Sequence, residues 1–163
     1  MCIRDRGSFT PEQVGPVSVQ GPNGVIDVLV ADEAEAVQVA KQYLSYFQGP
    51  LKDWHCADQR ELRHLIPENR LRVYDIRRVI ETLADRDSVL ELRRQFAPGL
   101  ITALIRVEGR AFGLLANNPA VLGGAIDAAA GDKAARFMRL CEAFGLPLVS
   151  LCDTPGFMVG PES

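Results

Sequence analysis

The stretch that decides the fold, residues 110–157, reads RAFGLLANNPAVLGGAIDAAAGDKAARFMRLCEAFGLPLVSLCDTPGF. Its hydrophobic pattern predicts a strand, a polar loop, a helix and a second strand that ends before Asp153. Glycines stand where apolar segments give way to loops: Gly123 and Gly124 before the helix, and Gly156 after the second strand. Because glycine lets the backbone approach a ligand closely, we predict that these loops offer main-chain N–H groups to an anion. The same positions are also typical of ordinary turn glycines.

The elements of this central region predict a β-β-α arrangement. Residues 101–107 and 110–116 have the composition of two strands, and the Glu-Gly pair between them is typical of a tight hairpin. A helix is predicted over residues 131–144. Its inward side chains are expected to be Ala134, Phe137, Met138 and Cys141. Residues 147–152 form an apolar run typical of a parallel strand buried on both faces, so we expect a further helix to cover it.

Upstream of this region, the pattern predicts a strand over residues 25–30 and then a helix. The helix is expected to begin at Asp32, with Glu35 completing a capping box, and to stop at Gly49. Its buried face is expected to carry Val37, Ala40, Leu44 and Phe47. Residues 50–70 show no sustained period, which indicates a connector between two lobes.

A second amphipathic helix is predicted after this connector. Asp75 is its expected N-cap. The buried face is expected to carry Ile76, Val79, Ile80 and Leu83. A short strand is predicted over residues 88–92, so the chain alternates helices and strands as an α/β protein does.

Composition excludes several classes of function. The 163 residues are enough for one domain with a core, and 47% hydrophobic with 24% charged residues is typical of a soluble globular protein. The net charge of −3 argues against a nucleic-acid partner. No apolar run is long enough to cross a membrane, so we expect no membrane span and a cytoplasmic location. His55, Cys56 and His64 match no zinc spacing, and we expect no metal site.

Residues 153–156 also match the D-x-x-G signature of GTPases. Such a protein needs an upstream G-x-x-x-x-G-K-[ST] loop to hold phosphates, and residues 1–152 contain none.

The two ends of the sequence indicate a partial reading frame. Residues 1–6, MCIRDR, resemble a translated adapter and are predicted to be a non-native extension, and the sequence stops at residue 163 shortly after the DTPGF motif. We therefore expect a fragment of a longer reading frame.

Five motifs in a fixed order carry a family resemblance. They are YDIR (74–77), VEGR (107–110), ANNP (116–119), DKAARF (132–137) and DTPGF (153–157). In this order they resemble the start of the C-terminal half of the carboxyltransferase (beta) subunit of biotin-dependent acyl-CoA carboxylases, the acetyl-CoA and propionyl-CoA carboxylase group. The resemblance is strong over residues 70–163 and weaker over residues 20–48.

The resemblance implies an α/β fold of the crotonase-like (ClpP/crotonase) type, a spiral of β-β-α units that is incomplete here. It implies that residues 7–49 are the end of the N-terminal carboxyltransferase half, that 50–70 are the connector, and that 71–163 are the start of a truncated C-terminal half. The resemblance also implies two oxyanion holes, one in the N-terminal half for the enolate of the acyl-CoA thioester and one in the C-terminal half for the ureido oxygen of biotin. The glycine-rich loops that complete both of them would then lie outside the sequence. The chain alone is accordingly expected to be inactive and to dissolve poorly.

The resemblance also implies the chemistry, in which CO2 moves from carboxybiotin to the α-carbon of an acyl-CoA thioester without a side-chain acid or base. By this resemblance, the backbone amides of Gly123, Gly124 and Ala125 are the candidate catalytic groups on the biotin side. The candidate cofactor-binding residues are Asn117, Asp153, Gly156 and Phe157. We expect Asn117 to anchor the loop through its amide, Asp153 to accept N–H bonds, and Phe157 to be core or pocket wall.

Lys133 and Arg136, on the first turns of the predicted helix, either reach CoA phosphates or form a solvated helix face.

The implied partners are biotin carboxylase, a biotinylated carrier subunit and further copies of the chain in a homo-oligomer. Two alternatives stay open. The first is the carboxyltransferase subunit of a biotin-dependent decarboxylase or transcarboxylase, and the second is a non-catalytic crotonase-fold assembly protein. Neither the acyl chain nor the direction of the reaction follows from residues 7–163.

Overall fold

The computed structural model describes residues 9–69 and 72–160. The helices in these ranges are α1 (Pro11–Val14), α2 (Val17–Gln20), α3 (Glu33–Ser45), α4 (Leu62–Leu65), α5 (Ile76–Leu83) and α6 (Ala128–Ala143). The strands are β1 (Leu90–Leu92), β2 (Leu100–Val107), β3 (Arg110–Asn117) and β4 (Leu148–Leu151), and 3-10 turns lie at Gln59–Glu61 and Leu122–Gly124. One face of the sheet packs against α5, and the other packs against α3 and α6.

The four strands form one sheet in the order β1-β2-β3-β4. β1, β2 and β3 run antiparallel, whereas β4 is parallel to β3. The predicted hairpin is confirmed: Glu108 and Gly109 take φ values of 51° and 75°, as a tight two-residue turn requires. The Asp85 carboxylate accepts hydrogen bonds from both of their N–H groups, at 3.1 and 2.7 Å. A side chain outside the hairpin therefore stabilises its turn.

The predicted parallel strand is present as β4, but the prediction that it is buried is wrong. Leu148 is 43% exposed, and Cys152, just beyond the strand, is also exposed. β4 is an edge strand, hydrogen-bonded within the described residues to β3 alone. Leu148 and Ser150 on one face of β4 are exposed, whereas Val149 and Leu151 on the other face are half-buried. The expectation of burial assumed a covering helix on each face.

The central helix, α6, begins three residues earlier than predicted, at Ala128. Asp127 is its N-cap, because the carboxylate accepts a hydrogen bond from Ala130 N at 2.7 Å. The buried residues of α6 are Ala130, Lys133, Phe137 and Cys141. The inward positions of Phe137 and Cys141 are confirmed, whereas Met138 is 42% exposed and was predicted wrongly. The inward stripe follows a spacing of three and four residues, one position away from Met138.

A glycine in β3 allows α6 and β4 to approach the sheet. A Cβ atom at Gly113 would lie 2.8 Å from Leu148 Cδ2 and would overlap the Cys141 Sγ atom. Such distances are shorter than side chains tolerate in a packed interior. At Gly131, on α6, no atom outside its chain neighbours and the adjacent helix backbone lies within 4 Å of the corresponding position. The two glycines therefore differ in whether their lack of a side chain is needed for packing.

The start of α3 is confirmed, but its buried face is not. Asp32 Oδ1 accepts a hydrogen bond from Glu35 N at 2.8 Å, as the capping box predicted. Val37 and Leu44 are more than half exposed, and Ala40 is also exposed. The inward side chains are instead Val39, Tyr43, Tyr46 and Phe47. Only Phe47 belonged to the predicted face. The helix itself ends at Ser45, before the predicted stop.

The end of α3 is held to the sheet by a buried arginine. Arg106, 3% exposed, donates to Gly49 O at 3.2 Å, Gly109 O at 2.6 Å and Ser45 O at 2.7 Å. Its guanidinium carbon also lies 5.3 Å from the centroid of the Tyr46 ring. Main-chain carbonyls of α3, of the segment after it and of the hairpin therefore converge on one cation.

The remaining predictions have mixed outcomes. α5 is confirmed, with Asp75 as N-cap accepting from Arg77 N at 3.0 Å, and with Ile76 and Ile80 buried. Val79 and Leu83 are half-buried against the same cluster.

Of the two remaining predicted strands, β1 is shorter than predicted. The strand predicted over residues 25–30 is wrong, because this segment pairs with no strand among the described residues. Residues with high β propensity form a strand only where a neighbouring strand is available for backbone hydrogen bonds.

Candidate functional site

The candidate site lies at the carboxyl ends of β3 and β4. These parallel neighbours end side by side, with Ala116 opposite Leu151, so the loops that follow them are adjacent. Asn117, the last residue of β3, spans the two loops. Its Nδ2 donates to Gly124 O at 3.1 Å, and its Oδ1 accepts from Asp153 N at 3.2 Å. The structure therefore brings Asn117, Gly124 and Asp153 together, and the Asn117 amide holds the loop that precedes α6.

The three predicted donor amides have different partners in the structure. Gly124 N donates to Val121 O at 2.9 Å, and Ala125 N donates to Leu122 O at 3.1 Å. Both groups are therefore committed to the loop's own 3-10 turn. The N–H of Gly123 has no acceptor among residues 9–69 and 72–160, and Gly123 is exposed. Of the three, it is the amide able to donate to a ligand in this conformation.

Gly124 lies where the two loops meet at backbone contact. It is buried, its φ is 84°, and a Cβ atom there would overlap the Asp153 carbonyl oxygen. Gly123 has φ 60° with no atom within 4 Å of its Cβ position. Both residues thus need the left-handed conformation that glycine tolerates, but only Gly124 also needs to lack a side chain.

The Asp153 carboxylate has a different partner from the one predicted. Its Oδ2 accepts a hydrogen bond from the Tyr74 hydroxyl at 2.7 Å. N–H donors to this carboxylate, which the sequence predicted, are not found within the described ranges. Burial, together with the bond to Asp153, raises the pKa of Tyr74 to about 12, so the phenol remains a donor at neutral pH. Tyr74 was missed at the sequence level, although it opens the YDIR motif.

Gly156 and Phe157 lie beside the loop that leads into α6. Ile126 and Phe157 form a parallel bridge, with Ile126 N donating to Gly156 O at 3.0 Å and Met158 N donating to Ile126 O at 2.8 Å. Gly156 takes φ 134°. Phe157 is 75% exposed, so the interpretation as a core residue is wrong, and its ring lies at the surface. The DTPGF segment is therefore fixed through its backbone.

Lys133 does not belong to a solvated helix face, nor can it reach a CoA phosphate. It is 1% exposed, and its Nζ donates to three main-chain carbonyls. Arg136, in contrast, is exposed. Lys133 lies four residues before Phe137 on the buried stripe of α6, and this spacing is the sequence signal that could have placed it inward.

A further described cleft lies away from these residues. It measures about 470 Å³ and lies between residues 21–29 and the α5–β1 region, with the Arg77–Glu91 ion pair at 2.7 Å in its wall. None of the predicted site residues lines it. The candidate site is consequently an open edge of the sheet.

Two further features are absent from the part of the chain that the structure describes. No group of three or more His, Cys, Asp or Glu residues is placed there to hold a metal ion. None of the helices there is both long and apolar enough to span a bilayer.

Comparison with known proteins identifies the family. Residues 8–163 match the carboxyl transferase domain family, and the chain belongs to it. One similar relative is the biotin-dependent acetyl-/propionyl-coenzyme A carboxylase beta6 subunit of Mycobacterium tuberculosis (strain ATCC 25618 / H37Rv). It is 36% identical over 165 residues, which are 95% of this chain and 35% of the relative. The chain thus spans about a third of the length of the curated relatives it matches.

Two solved structures are similar over nearly the whole chain. A single-chain, multi-domain long-chain acyl-CoA carboxylase is 58% identical, with a TM-score of 0.92, over 96% of this chain and 16% of that one. Transcarboxylase 12S, with methylmalonyl-coenzyme A bound, is 34% identical with a TM-score of 0.81, over 96% of this chain and 32% of that one. The predicted fold class, α/β of the crotonase type seen in carboxyltransferases, is confirmed by these similarities.

Proposed function

We propose that the protein is the carboxyltransferase component of a biotin-dependent acyl-CoA carboxylase. In this role it moves CO2 from carboxybiotin to the α-carbon of an acyl-CoA thioester. The observation that carries the proposal is the TM-score of 0.92, at 58% identity, to a long-chain acyl-CoA carboxylase. The similarity extends over 96% of the chain.

The residues at the sheet edge fit a biotin ureido group. That group has a carbonyl oxygen that accepts hydrogen bonds, and Gly123 has an exposed N–H without an acceptor in the described structure. When bound, carboxybiotin supplies CO2 and, once the CO2 has left, a nitrogen base for the α-proton. The chain's own contribution is a fixed donor. Removing one preorganised donor of this kind typically lowers a rate by about 10²–10³-fold.

We assign different roles to the three candidate amides. Gly123 N–H is the group that donates to the ureido oxygen. Gly124 N–H and Ala125 N–H form the 3-10 turn that orients it. A donor held by a closed turn does not need to reorganise when negative charge develops on its acceptor, and this is the physical basis of such stabilisation.

The four candidate cofactor-binding residues support this loop. Asn117 joins it to the loop after β4 through two hydrogen bonds. Asp153, held by Tyr74, keeps that second loop in place. Gly156 and Phe157 form the adjacent wall, where the exposed ring of Phe157 offers an apolar surface to the bicyclic ring system.

We further propose the division of the chain that the resemblance implies. Residues 7–49 are the end of an N-terminal half, 50–70 the connector and 71–163 the start of a C-terminal half. The non-native extension proposed for residues 1–6 lies outside the described residues.

The proposed partners are biotin carboxylase, a biotinylated carrier and further copies of the chain in the cytoplasm. The hexamer assembly described for transcarboxylase 12S supports the homo-oligomer.

A segment exchange tests the proposal. Residues 20–160 replace the matched segment of the single-chain long-chain acyl-CoA carboxylase, which is self-contained. We expect the chimera to keep ATP-dependent carboxylation of the host's acyl-CoA within about tenfold, since about 1.4 kcal/mol of barrier corresponds to that factor. Size-exclusion chromatography and thermal unfolding check assembly. A chimera with the host's assembly and stability but a turnover lowered more than about 100-fold contradicts the proposal and favours a non-catalytic assembly protein.

The second candidate is the carboxyltransferase subunit of a biotin-dependent decarboxylase or transcarboxylase. The 34% identity and TM-score of 0.81 to transcarboxylase 12S favour it. The two candidates differ in energy source. A carboxylase needs ATP and bicarbonate to charge biotin, whereas a transcarboxylase takes the carboxyl group from another acyl-CoA. Activity of the protein with its native partners, measured with and without ATP, separates them.

A further inference from the structure

Lys133 is a buried cation without a carboxylate partner in the described structure. Its Nζ donates to Leu100 O at 2.7 Å, Phe96 O at 2.8 Å and Ala97 O at 3.4 Å. None of the ion pairs among residues 9–69 and 72–160 includes it. An ammonium group has three donors, so the three carbonyls satisfy it completely. Burying a lysine is costly unless its hydrogen bonds are made, and here they all go to one turn.

The turn at residues 96–100, which we name the support turn, has a geometry that needs such a partner. Ala97 takes φ 43°, a left-handed conformation that is unfavourable for a non-glycine residue. Leu100 N donates to Ala97 O at 3.1 Å within the turn. Several of its carbonyls point inward toward α6, away from water. The Lys133 ammonium is the group that receives them.

The support turn contacts the loop that carries Gly123. Asn118 N donates to Gly99 O at 2.8 Å, and Asn118 Nδ2 donates to Pro98 O at 3.0 Å. A Cβ atom at Gly99 would be 3.5 Å from Val121 Cγ1 and 3.7 Å from Ala125 O. The turn is therefore hydrogen-bonded to the start of the loop formed by residues 118–125, and its Gly99 lies close to Val121 and Ala125 in the same loop. A displacement of the turn displaces the loop.

We propose that Lys133 is a positioning residue, whose ammonium fixes the support turn and thereby holds loop 118–125 in the conformation that presents Gly123 N–H. Lys133 touches neither biotin nor acyl-CoA. Its effect on turnover rests on the function proposed above, whereas its effect on the loop does not. Asn118 is the link, since it bonds the turn from the loop side.

The electrostatic surroundings agree with a group held by carbonyls rather than by an acid. Burial lowers the pKa of Lys133 to about 8, the Glu91 carboxylate opposes this shift, and the Arg77 and Arg93 guanidinium groups add to it. At neutral pH the amine is still mostly protonated. The charge that completes the three hydrogen bonds is therefore present under physiological conditions.

Hydrogen exchange measured by mass spectrometry tests the proposal on the protein without ligand. Lys133→Met keeps most of the unbranched side chain but removes the terminal ammonium and its donors. We expect exchange in peptides covering 96–100 and 118–125 to rise at least tenfold, with little change in the β2–β3 hairpin. Arg139→Met, which removes an exposed cation from the same helix, is the control and should change neither peptide. A uniform rise across the chain would indicate a general loss of stability and would overturn the proposal.

A second variant keeps the test decisive if Lys133→Met does not fold. Asn118→Asp removes the Nδ2 donor to Pro98 O, which is the side-chain part of the link, but keeps the Oδ1 acceptor of Ala120 N and leaves Lys133 in place. We expect faster exchange in 118–125 while 96–100 stays protected, and unchanged exchange in 118–125 would overturn the proposal. In the chimera, both variants should lower kcat at least tenfold with the KM for acyl-CoA within about twofold. Loop loosening in an inactive chimera would reject the proposed function but retain the positioning role.

Discussion

The two adjacent glycines of the site loop provide a matched pair of substitutions. Gly123→Ala and Gly124→Ala place the same methyl group at left-handed φ values of 60° and 84°. At Gly123 the added atom has no neighbour within 4 Å. At Gly124 it overlaps the carbonyl oxygen of Asp153, a backbone atom that cannot rotate away. The two variants therefore share the conformational cost and differ in one steric contact.

The magnitude follows from these contacts. A left-handed alanine costs about 1–2 kcal/mol, and the loss of unfolded-chain freedom returns about 0.4–1 kcal/mol, so Gly123→Ala should lower the free energy of unfolding by about 1 kcal/mol. Overpacking adds about 1–3 kcal/mol, which Gly124→Ala alone incurs. For a chain of this size each kcal/mol lowers Tm by about 2–4 °C. The second variant should accordingly melt several degrees below the first.

Urea unfolding followed by tryptophan fluorescence measures the difference. Trp54 is the single tryptophan, and its Cδ1 atom would be 3.2 Å from a Cβ at Gly109, so it reports on the hairpin. In the chimera, Gly124→Ala should also lower turnover at least tenfold more than Gly123→Ala, because it separates the two loops. Equal destabilisation by the two variants, or greater destabilisation by Gly123→Ala, would refute the close approach at Gly124 on which the site depends.

Three further predictions concern the core. Because burial lowers the folded-state pKa of Lys133 from 10.5 to about 8, the unfolded chain binds more protons than the folded chain between these pH values. The unfolding free energy of wild type relative to Lys133→Met should therefore rise by up to about 3 kcal/mol from pH 8 to 10.5. Urea melts that show a flat or falling difference would contradict this. Arg106→Met should lower the unfolding free energy by about 2–4 kcal/mol in the same assay, because charged hydrogen bonds are lost. Arg110→Met, at an exposed position, should change it by no more than about 0.5 kcal/mol. Similar values for the two variants would disprove the anchoring role of Arg106. In calorimetry, Gly113→Ala should lower the unfolding free energy by about 1–3 kcal/mol through overpacking, whereas Gly131→Ala should raise it by about 0.5–1 kcal/mol. A Gly113→Ala variant more stable than Gly131→Ala would count against the packing of α6 on β3.

Elements with local signals were predicted correctly. Asp32 and Asp75 are N-caps because each carboxylate reaches an N–H two or three residues ahead. The hairpin at Glu108 and Gly109 likewise depends on two residues that accept positive φ. Where the partner is distant in sequence, prediction failed. Residues 25–30 have strand composition but pair with no strand in the described ranges, and α3 presents a face different from the one its hydrophobic residues suggested.

The sequence by itself determined the N-caps at Asp32 and Asp75, the hairpin and the ordered motifs of the carboxyl transferase family, since these depend on neighbouring residues or on their order. Only the tertiary structure decided the network behind the candidate site. Lys133 is buried because carbonyls more than thirty positions earlier satisfy its ammonium. Asn117 joins Gly124 to Asp153 because β3 and β4 end side by side. Whether burial of a polar group is stabilising depends on partners that only the folded chain brings within hydrogen-bonding distance.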